Sequence, residues 1–360
     1  MLRRACKSMR KKTKQIAIGN VFIGDENKIA VQSMTNTNTE DYEATLQQVK
    51  RLVESGCEII RVSFPSDRSV GLIPEYKKMF TVPLVADIHF DHTLAIKAIE
   101  AGVDKIRINP GNIGSDEKVR KVIHAARSHN IPIRIGVNGG SLPSNIDQNR
   151  DLLPVTIAAI KYIEFFHNEK FYDIIISVKM SDVTTTIKAY QEISSYCNYP
   201  LHVGITEAGT KHYGIVKSSV GIGAILSQGI GDTIRVSLTG DPVQEVSVAQ
   251  NILKSLGLRK FGPEIIACPT CSRTKVNLEE IALLVEEKTK RLTTPITIAV
   301  MGCAVNGPGE AKHADIGVAC GQGEGLLFRK GEIVKKVPEK QIVDELLQLI
   351  DTIAKEYENT

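Results

Sequence analysis

Cys268-Pro-Thr-Cys271 sets two thiols two residues apart, and a third, Cys303, follows in the glycine-rich segment MGCAVNGPGE that Glu310 closes. Thiolates at that spacing on a loop can grip one metal centre together, and zinc sites and iron–sulfur clusters both use it. Three cysteines leave a fourth position to fill. Cys320, in GVACGQG, offers a soft thiolate. Glu310 offers a hard carboxylate, a less usual ligand for a cluster. On residue type alone Glu310 reads as a surface-loop carboxylate. A closed zinc site of Cys268, Cys271, Cys303 and Cys320 therefore stands beside an iron–sulfur centre as a reading of these residues.

A second constellation is cationic. Arg61, Arg107, Arg134, Lys179 and Arg235 fall toward the ends of apolar runs, with Asp87, His89, Asn109, Asn138, Glu207 and Ser237 at similar places. Gathered at one mouth, five such cations need an anion, since only Asp87 and Glu207 stand by as acids. The planar guanidinium fork suits phosphate oxygens, and an ammonium adds a compact charge. The glycine stretches NPGNIG (109–114) and SSVGIGA (218–224) can add backbone N–H donors. Glu207 and Asp87 are the expected proton-transfer groups, and His89 a hydrogen-bonding partner of phosphate or alcohol. A diphosphate-bearing ligand is the natural expectation.

The elements that must position these residues are legible as a rhythm. Eight Ile- and Val-rich runs, at 28–34, 57–64, 82–90, 105–110, 131–138, 173–181, 201–208 and 232–238, alternate with amphipathic stretches such as 46–56, 94–102 and 119–130. Continuous apolar runs suit strands buried on both faces. Eight strand–helix units in about 240 residues predict a (β/α)8 TIM-type barrel, whose site lies at the C-terminal strand ends. After Gly262 the alternation breaks into strands at EIIAC, 296–303 and ADIGVAC, a hairpin, and helices over 278–292 and 339–357, which predicts a small α+β domain. The expected division is a basic, solvated tail over 1–19, a barrel over 20–257 and the cysteine-bearing domain over 262–360.

Bulk properties bound the classes. The 360 residues are 42% hydrophobic and 24% charged, ordinary for a soluble globular chain. A net charge of +4 gives no reason to expect nucleic-acid binding, and no apolar run is long enough to span a membrane. Seven scattered cysteines without a secretory signal argue against a disulfide framework and for the cytoplasm.

The segments VQSMTNTNTED, VADIHFD, RINPGNIG, PIRIGVN, TEAGT, ACPTCSRT and VMGCAVNGPGEAKHADIGV closely resemble the 4-hydroxy-3-methylbut-2-enyl diphosphate synthase family, in order, from about residue 15 to 355. The resemblance implies the short two-domain bacterial form. It further implies two-electron reductive opening and dehydration of 2-C-methyl-D-erythritol 2,4-cyclodiphosphate, in isoprenoid precursor synthesis. A [4Fe-4S] cluster would be held by Cys268, Cys271, Cys303 and Glu310, and fed by reduced flavodoxin or ferredoxin. By the same resemblance Arg61, Arg107, Arg134 and Lys179, with Asn109, Asn138 and Ser237, bind the diphosphate, and Glu207 is the acid. The family's homodimer, in which the cluster domain of one chain caps the barrel of the other, is implied too. A pterin-type condensing barrel would also bind a diphosphate at a basic mouth, but leaves the C-terminal cysteines without a role.

Overall fold

The structure, a computed structural model, describes residues 10–141, 151–303 and 313–358. The chain forms two compact units, Met1–Arg259 and Lys260–Thr360.

The first unit is an eight-stranded parallel barrel. Its strands are β3 (Ala30–Met34), β4 (Ile59–Ser63), β5 (Leu84–Asp87), β6 (Lys105–Ile108), β7 (Ile133–Asn138), β8 (Ile174–Lys179), β9 (His202–Val203) and β10 (Thr233–Ile234). They neighbour one another in chain order, and β10 returns to pair with β3. A parallel bridge from Ile176 to Leu201 closes the circle between β8 and the approach to β9. Every expected run holds a strand, shorter than the apolar stretch around it. The crossover helices cover the outside, and several start at a side-chain cap: Asp41 for Tyr42–Glu54, Ser115 for Asp116–Ser128 and Asp182 for Val183–Tyr196.

The basic segment departs from the expected solvated tail. From residue 10 onward it is bound to the barrel: Arg10 Nη2 lies 2.5 Å from the buried Asp232 carboxylate, and Thr13 Oγ1 donates to the same group at 3.0 Å. The chain then turns through an antiparallel hairpin, β1 (Ile16–Ile18) and β2 (Val21–Ile23). Ile16, Ile18 and Ile23 pack with Ala30, Ile59, Val85 and Ile175, residues near the starts of their strands. The hairpin therefore plugs the end of the barrel opposite the strand C-termini.

The second unit is a five-stranded mixed sheet in the order β11 (Glu264–Ala267), β12 (Thr297–Met301), β13 (Ile316–Cys320), β14 (Glu324–Arg329) and β15 (Glu332–Pro338). The first three run parallel and the last two antiparallel. Helices Leu278–Thr289 and Ile342–Glu358 complete its core, in which Cys320 is fully buried.

Candidate active site

Side chains two apart on a strand share a face, so Lys105 and Arg107 point one way on β6, as do Arg134, Gly136 and Asn138 on β7. For Lys105 that way is the lumen: its Nζ donates to Gln32 Oε1 at 3.2 Å, and β3 and β6 are not neighbours in the sheet. Lumen-facing cations therefore extend from the strand ends well down into the barrel. Arg61, Arg107, Arg134 and Lys179 are all at least nine-tenths buried.

Asp87, the last residue of β5, binds two of them. Arg107 Nη1 donates to its Oδ1 at 3.0 Å, and Arg61 Nε lies 3.6 Å from its Oδ2. Burial alone would raise the Asp87 pKa, but Arg61, Arg107 and Arg134 outweigh it and hold the group down to about 2. Asp87 is thus ionised near neutral pH and serves as a brace between two arginines. As a folded-state pKa below the unfolded value, it contributes stability that is present above about pH 4 and lost as pH falls through about 2. His89 Nε2 stands 3.7 Å from the same carboxylate, with its ring about half exposed.

The second opposing acid is Glu245, in the helix Pro242–Ser255, which the sequence reading did not single out. Its carboxylate accepts from Arg235 Nη2 at 3.3 Å, from the backbone N–H of Leu238 at 2.9 Å and from Ser33 Oγ at 3.1 Å. It fixes Arg235 and the turn that carries Ser237. Glu207, expected as the neighbouring acid, is instead exposed on the loop after β9. Its backbone sits in the left-handed region at φ 51°, where Lys217 Nζ donates to its carbonyl at 3.2 Å. A non-glycine residue held there marks a constrained loop.

Two further expectations change. Arg134 is near the start of β7, four residues before Asn138, so it acts from within the lumen and not from the strand end. SSVGIGA lies inside the helix Lys211–Ser227, which commits its N–H groups to helical hydrogen bonds; Gly221 there admits the Ile205 side chain. NPGNIG forms a short turn of helix, Pro110–Ile113, capped by the buried Asn109. Asn138, the last residue of β7, and Ser237, three residues beyond β10, are half-buried.

Among the described residues the arginines of the lumen outnumber its acids: Arg61, Arg107, Arg134 and Arg235, with Lys105 and Lys179 beside them, face Asp87 and Glu245. Burial works against the charged forms of Lys105, Arg134 and Lys179, and neighbouring arginines add to that effect. Arg134 Nε and Nη1 and Arg107 Nε are buried with no hydrogen-bond partner among the described residues. Unpaired buried donors on cations define where an anion belongs.

Glycines make room for these side chains. A Cβ at Gly136 would lie 2.8 Å from Arg107 Nε, and one at Gly204 would lie 2.5 Å from both Lys179 Nζ and the Arg235 carbonyl. Gly136→Ala would push against the buried Arg107 guanidinium that Asp87 holds, so a modest fall in Tm is expected. Ligand affinity is expected to fall about tenfold, the equivalent of about 1.4 kcal/mol, as titration calorimetry would show.

The cysteines lie in the second unit. β11 and β12 are parallel neighbours with Ala267 opposite Val300, so Cys268 follows one strand and Cys303 the next at the same end. The Gly302 N–H donates to Cys268 Sγ at 3.2 Å, and Lys275 N–H to the Gly302 carbonyl at 3.4 Å, tying the two loops together. Hydrogen bonds from the Arg273 backbone and side chain pull the exposed Cys271 thiol below its ordinary pKa. A soft donor set with a thiolate-favouring loop fits an iron–sulfur centre. Among the described residues, no three His, Cys, Asp or Glu side chains already form a metal-holding group. Glu310 lies outside the described residues. Cys320 packs in the apolar core, where burial pushes its thiol up to about 12.

Fold and site together define a TIM-barrel protein with a buried, cation-rich lumen and a cysteine-bearing second unit. The chain belongs to the GcpE family: residues 13–250 match the GcpE TIM-barrel domain and 264–352 the GcpE protein C-terminal domain. Similar proteins named 4-hydroxy-3-methylbut-2-en-1-yl diphosphate synthase (flavodoxin) come from Caldanaerobacter subterraneus subsp. tengcongensis and Geobacillus kaustophilus. The first is 55% identical over 351 residues, 97% of this chain and 99% of that protein. The second is 53% identical over 351 residues, 97% and 94% of the two chains. Among solved structures, HPPK-DHPS of Plasmodium falciparum with pterin and p-hydroxybenzoate aligns with a TM-score of 0.52 at 14% identity, covering 68% of this chain and 48% of that one. That likeness concerns the barrel fold alone.

Proposed function

We propose that this chain converts 2-C-methyl-D-erythritol 2,4-cyclodiphosphate to 4-hydroxy-3-methylbut-2-enyl diphosphate, taking in two electrons and two protons and releasing one water. The carrying observation is Arg134, whose guanidinium is buried in a cation-rich lumen with two nitrogens unpartnered among the described residues. The names of relatives above half identity support the choice of diphosphate.

In this reading the barrel, taken over 20–257, binds and orients the substrate. Arg107 and Arg134 donate to diphosphate oxygens through their free N–H groups, with Arg61, Lys179 and Arg235 supplying charge and Asn109, Asn138, His89 and Ser237 the remaining contacts. Fixed donors also stabilise negative charge on the oxygen released as the ring opens. Asp87 and Glu245 keep three of the arginines in place. Glu207, the acid that the family resemblance implies, is the proposed proton donor for the departing hydroxyl, while Asp87 stays committed to the arginines.

The domain over 262–360 holds a [4Fe-4S] cluster through Cys268, Cys271, Cys303 and Glu310, which when bound supplies one-electron reducing equivalents. Flavodoxin, which the names of the similar proteins include, is the proposed donor, with ferredoxin as the alternative. The working form is a cytoplasmic homodimer with the active site assembled between chains. No helix among the described residues is long and apolar enough to cross a membrane.

Glu207→Gln tests the acid. Its kcat is expected to fall by about 10²–10⁴ with KM little changed, and the loss should ease at lower pH if buffer or water replaces the donor. An unchanged kcat would remove Glu207 from the mechanism. Iron and acid-labile sulfide counts after anaerobic purification test the cofactor: about four of each per chain are expected, against one zinc for the stapled alternative.

A further inference from the structure

Below the strand ends the lumen carries polar groups to which the diphosphate contacts proposed above assign no role. Gln32, Lys105, His202 and Thr233 are each no more than 1% exposed. His202 Nδ1 and Thr233 Oγ1 are 2.8 Å apart, while Gln32 Nε2 and His202 Nε2 have no partner among the described residues. Lys105 has one partner there, the neutral amide oxygen of Gln32 at 3.2 Å, and no carboxylate in ion-pair range among the described residues.

An ammonium in such a place is costly. It is removed from water, it satisfies one of three N–H groups, and the charged groups facing it are mostly cations. These are Arg61 from β4, Arg107 on its own strand, Arg134 from β7, Lys179 from β8 and Arg235 beyond β10, with His202 from β9. Asp87 and Glu245 oppose them, but each is engaged by arginine. Guanidinium does not release a proton near neutral pH, so repulsion within the lumen is relieved at a lysine. Lys179 has Asn138 beside it in register at the strand end, whereas Lys105 lies at the inner end of β6. Burial and the arginines both lower the Lys105 pKa well below its ordinary value.

We propose that Lys105 is a further residue of the anion site, uncharged in the ligand-free barrel and protonated as the diphosphate enters, so that substrate capture takes up a proton. This rests on the diphosphate reading above. The ligand's two negative charges reverse the local field, and Lys105 gains a proton from solvent and adds its charge to the arginine set. The neutral amine spares the ligand-free barrel one buried charge. Capture should weaken as pH rises, up to about tenfold per pH unit where one proton accompanies one ligand.

The test uses the full, cluster-loaded chain without reductant, so that ligand binds and does not react. Titration calorimetry with the cyclodiphosphate, at about pH 8 in two buffers of different ionisation enthalpy, counts protons exchanged on binding. Each phosphorus of this ligand bears one strongly acidic hydroxyl, so the ligand itself is fully ionised and any proton taken up is on the protein. The wild type is expected to gain about one proton per ligand, and Lys105→Met about one fewer. Binding without proton uptake in the wild type would overturn the proposal, independently of any variant's folding. So would an unchanged count in a folded Lys105→Met protein. Failure of the wild type to bind the cyclodiphosphate at all would overturn the diphosphate reading and this inference with it.

Discussion

Replacing Arg134 with methionine is expected to lower kcat/KM by about 10²–10⁴ while leaving the ligand-free fold as stable as before or more so. The two effects have one origin. The side chain is 2% exposed, surrounded by Arg61 and Arg107, and keeps two unpartnered nitrogens among the described residues. In the ligand-free protein that is an uncompensated buried charge, and exchanging it for an apolar group of similar size is neutral or stabilising by about 1–4 kcal/mol. In the complex the same nitrogens donate two charge-assisted hydrogen bonds at about 1.5–3 kcal/mol each. A thermal melt and steady-state kinetics on one preparation check both signs. A lower Tm with unchanged kinetics would mean that Arg134 serves the fold alone.

Cys271→Ser is expected to abolish turnover, by at least about 10³-fold, with loss of most of the iron and little change in the folded sheet. Cys271 is exposed, its backbone is held by Thr274, and the core of its unit lies elsewhere. Iron content and circular dichroism separate ligand loss from unfolding. Retention of the full iron complement would exclude Cys271 as a ligand. Mixing this variant with Arg134→Met under exchange conditions tests the dimer reading. If barrel and cluster domain act between chains, mixed dimers hold one intact site, and about a quarter of wild-type activity should return. Sites confined to single chains would give one double-intact half-dimer nowhere, and activity would stay absent.

The barrel was legible because parallel strands buried on both faces leave uninterrupted Ile and Val runs, and all eight runs hold strands. The expected boundary at residue 19 cuts the N-terminal hairpin, leaving Ile16–Ile18 in the basic tail and Val21–Ile23 in the barrel. IAI-GN-VFI carries a Gly-Asn turn between alternating apolar residues, but a run of charges precedes it, and the partner of Arg10, Asp232, lies 222 residues away. Glu245 escaped notice because an acid in a first helical turn is ordinary; only the fold reveals that Arg235 closes on it.

The candidate site was legible in its residue types more than in its depth. Arg61, Asp87, Arg107, Lys179 and Arg235 do converge on one lumen, because each occupies an inward-facing position of its strand or the loop just after it. Lys105, Gln32 and His202 were not expected for the opposite reason: the lower lumen of such a barrel is expected to be apolar. The two-residue period of K-I-R-I was the available signal, placing Lys105 on the face of Arg107. The glycines at 136 and 204 carried a second one, because each leaves the space that a long cation fills.

The most direct test supplies the anaerobically reconstituted full chain with the cyclodiphosphate and reduced flavodoxin, and follows the phosphorus resonances and electron consumption together. The account predicts conversion to the linear hydroxymethylbutenyl diphosphate with two electrons consumed per product. Unchanged cyclodiphosphate in the presence of a loaded, reducible cluster would contradict it.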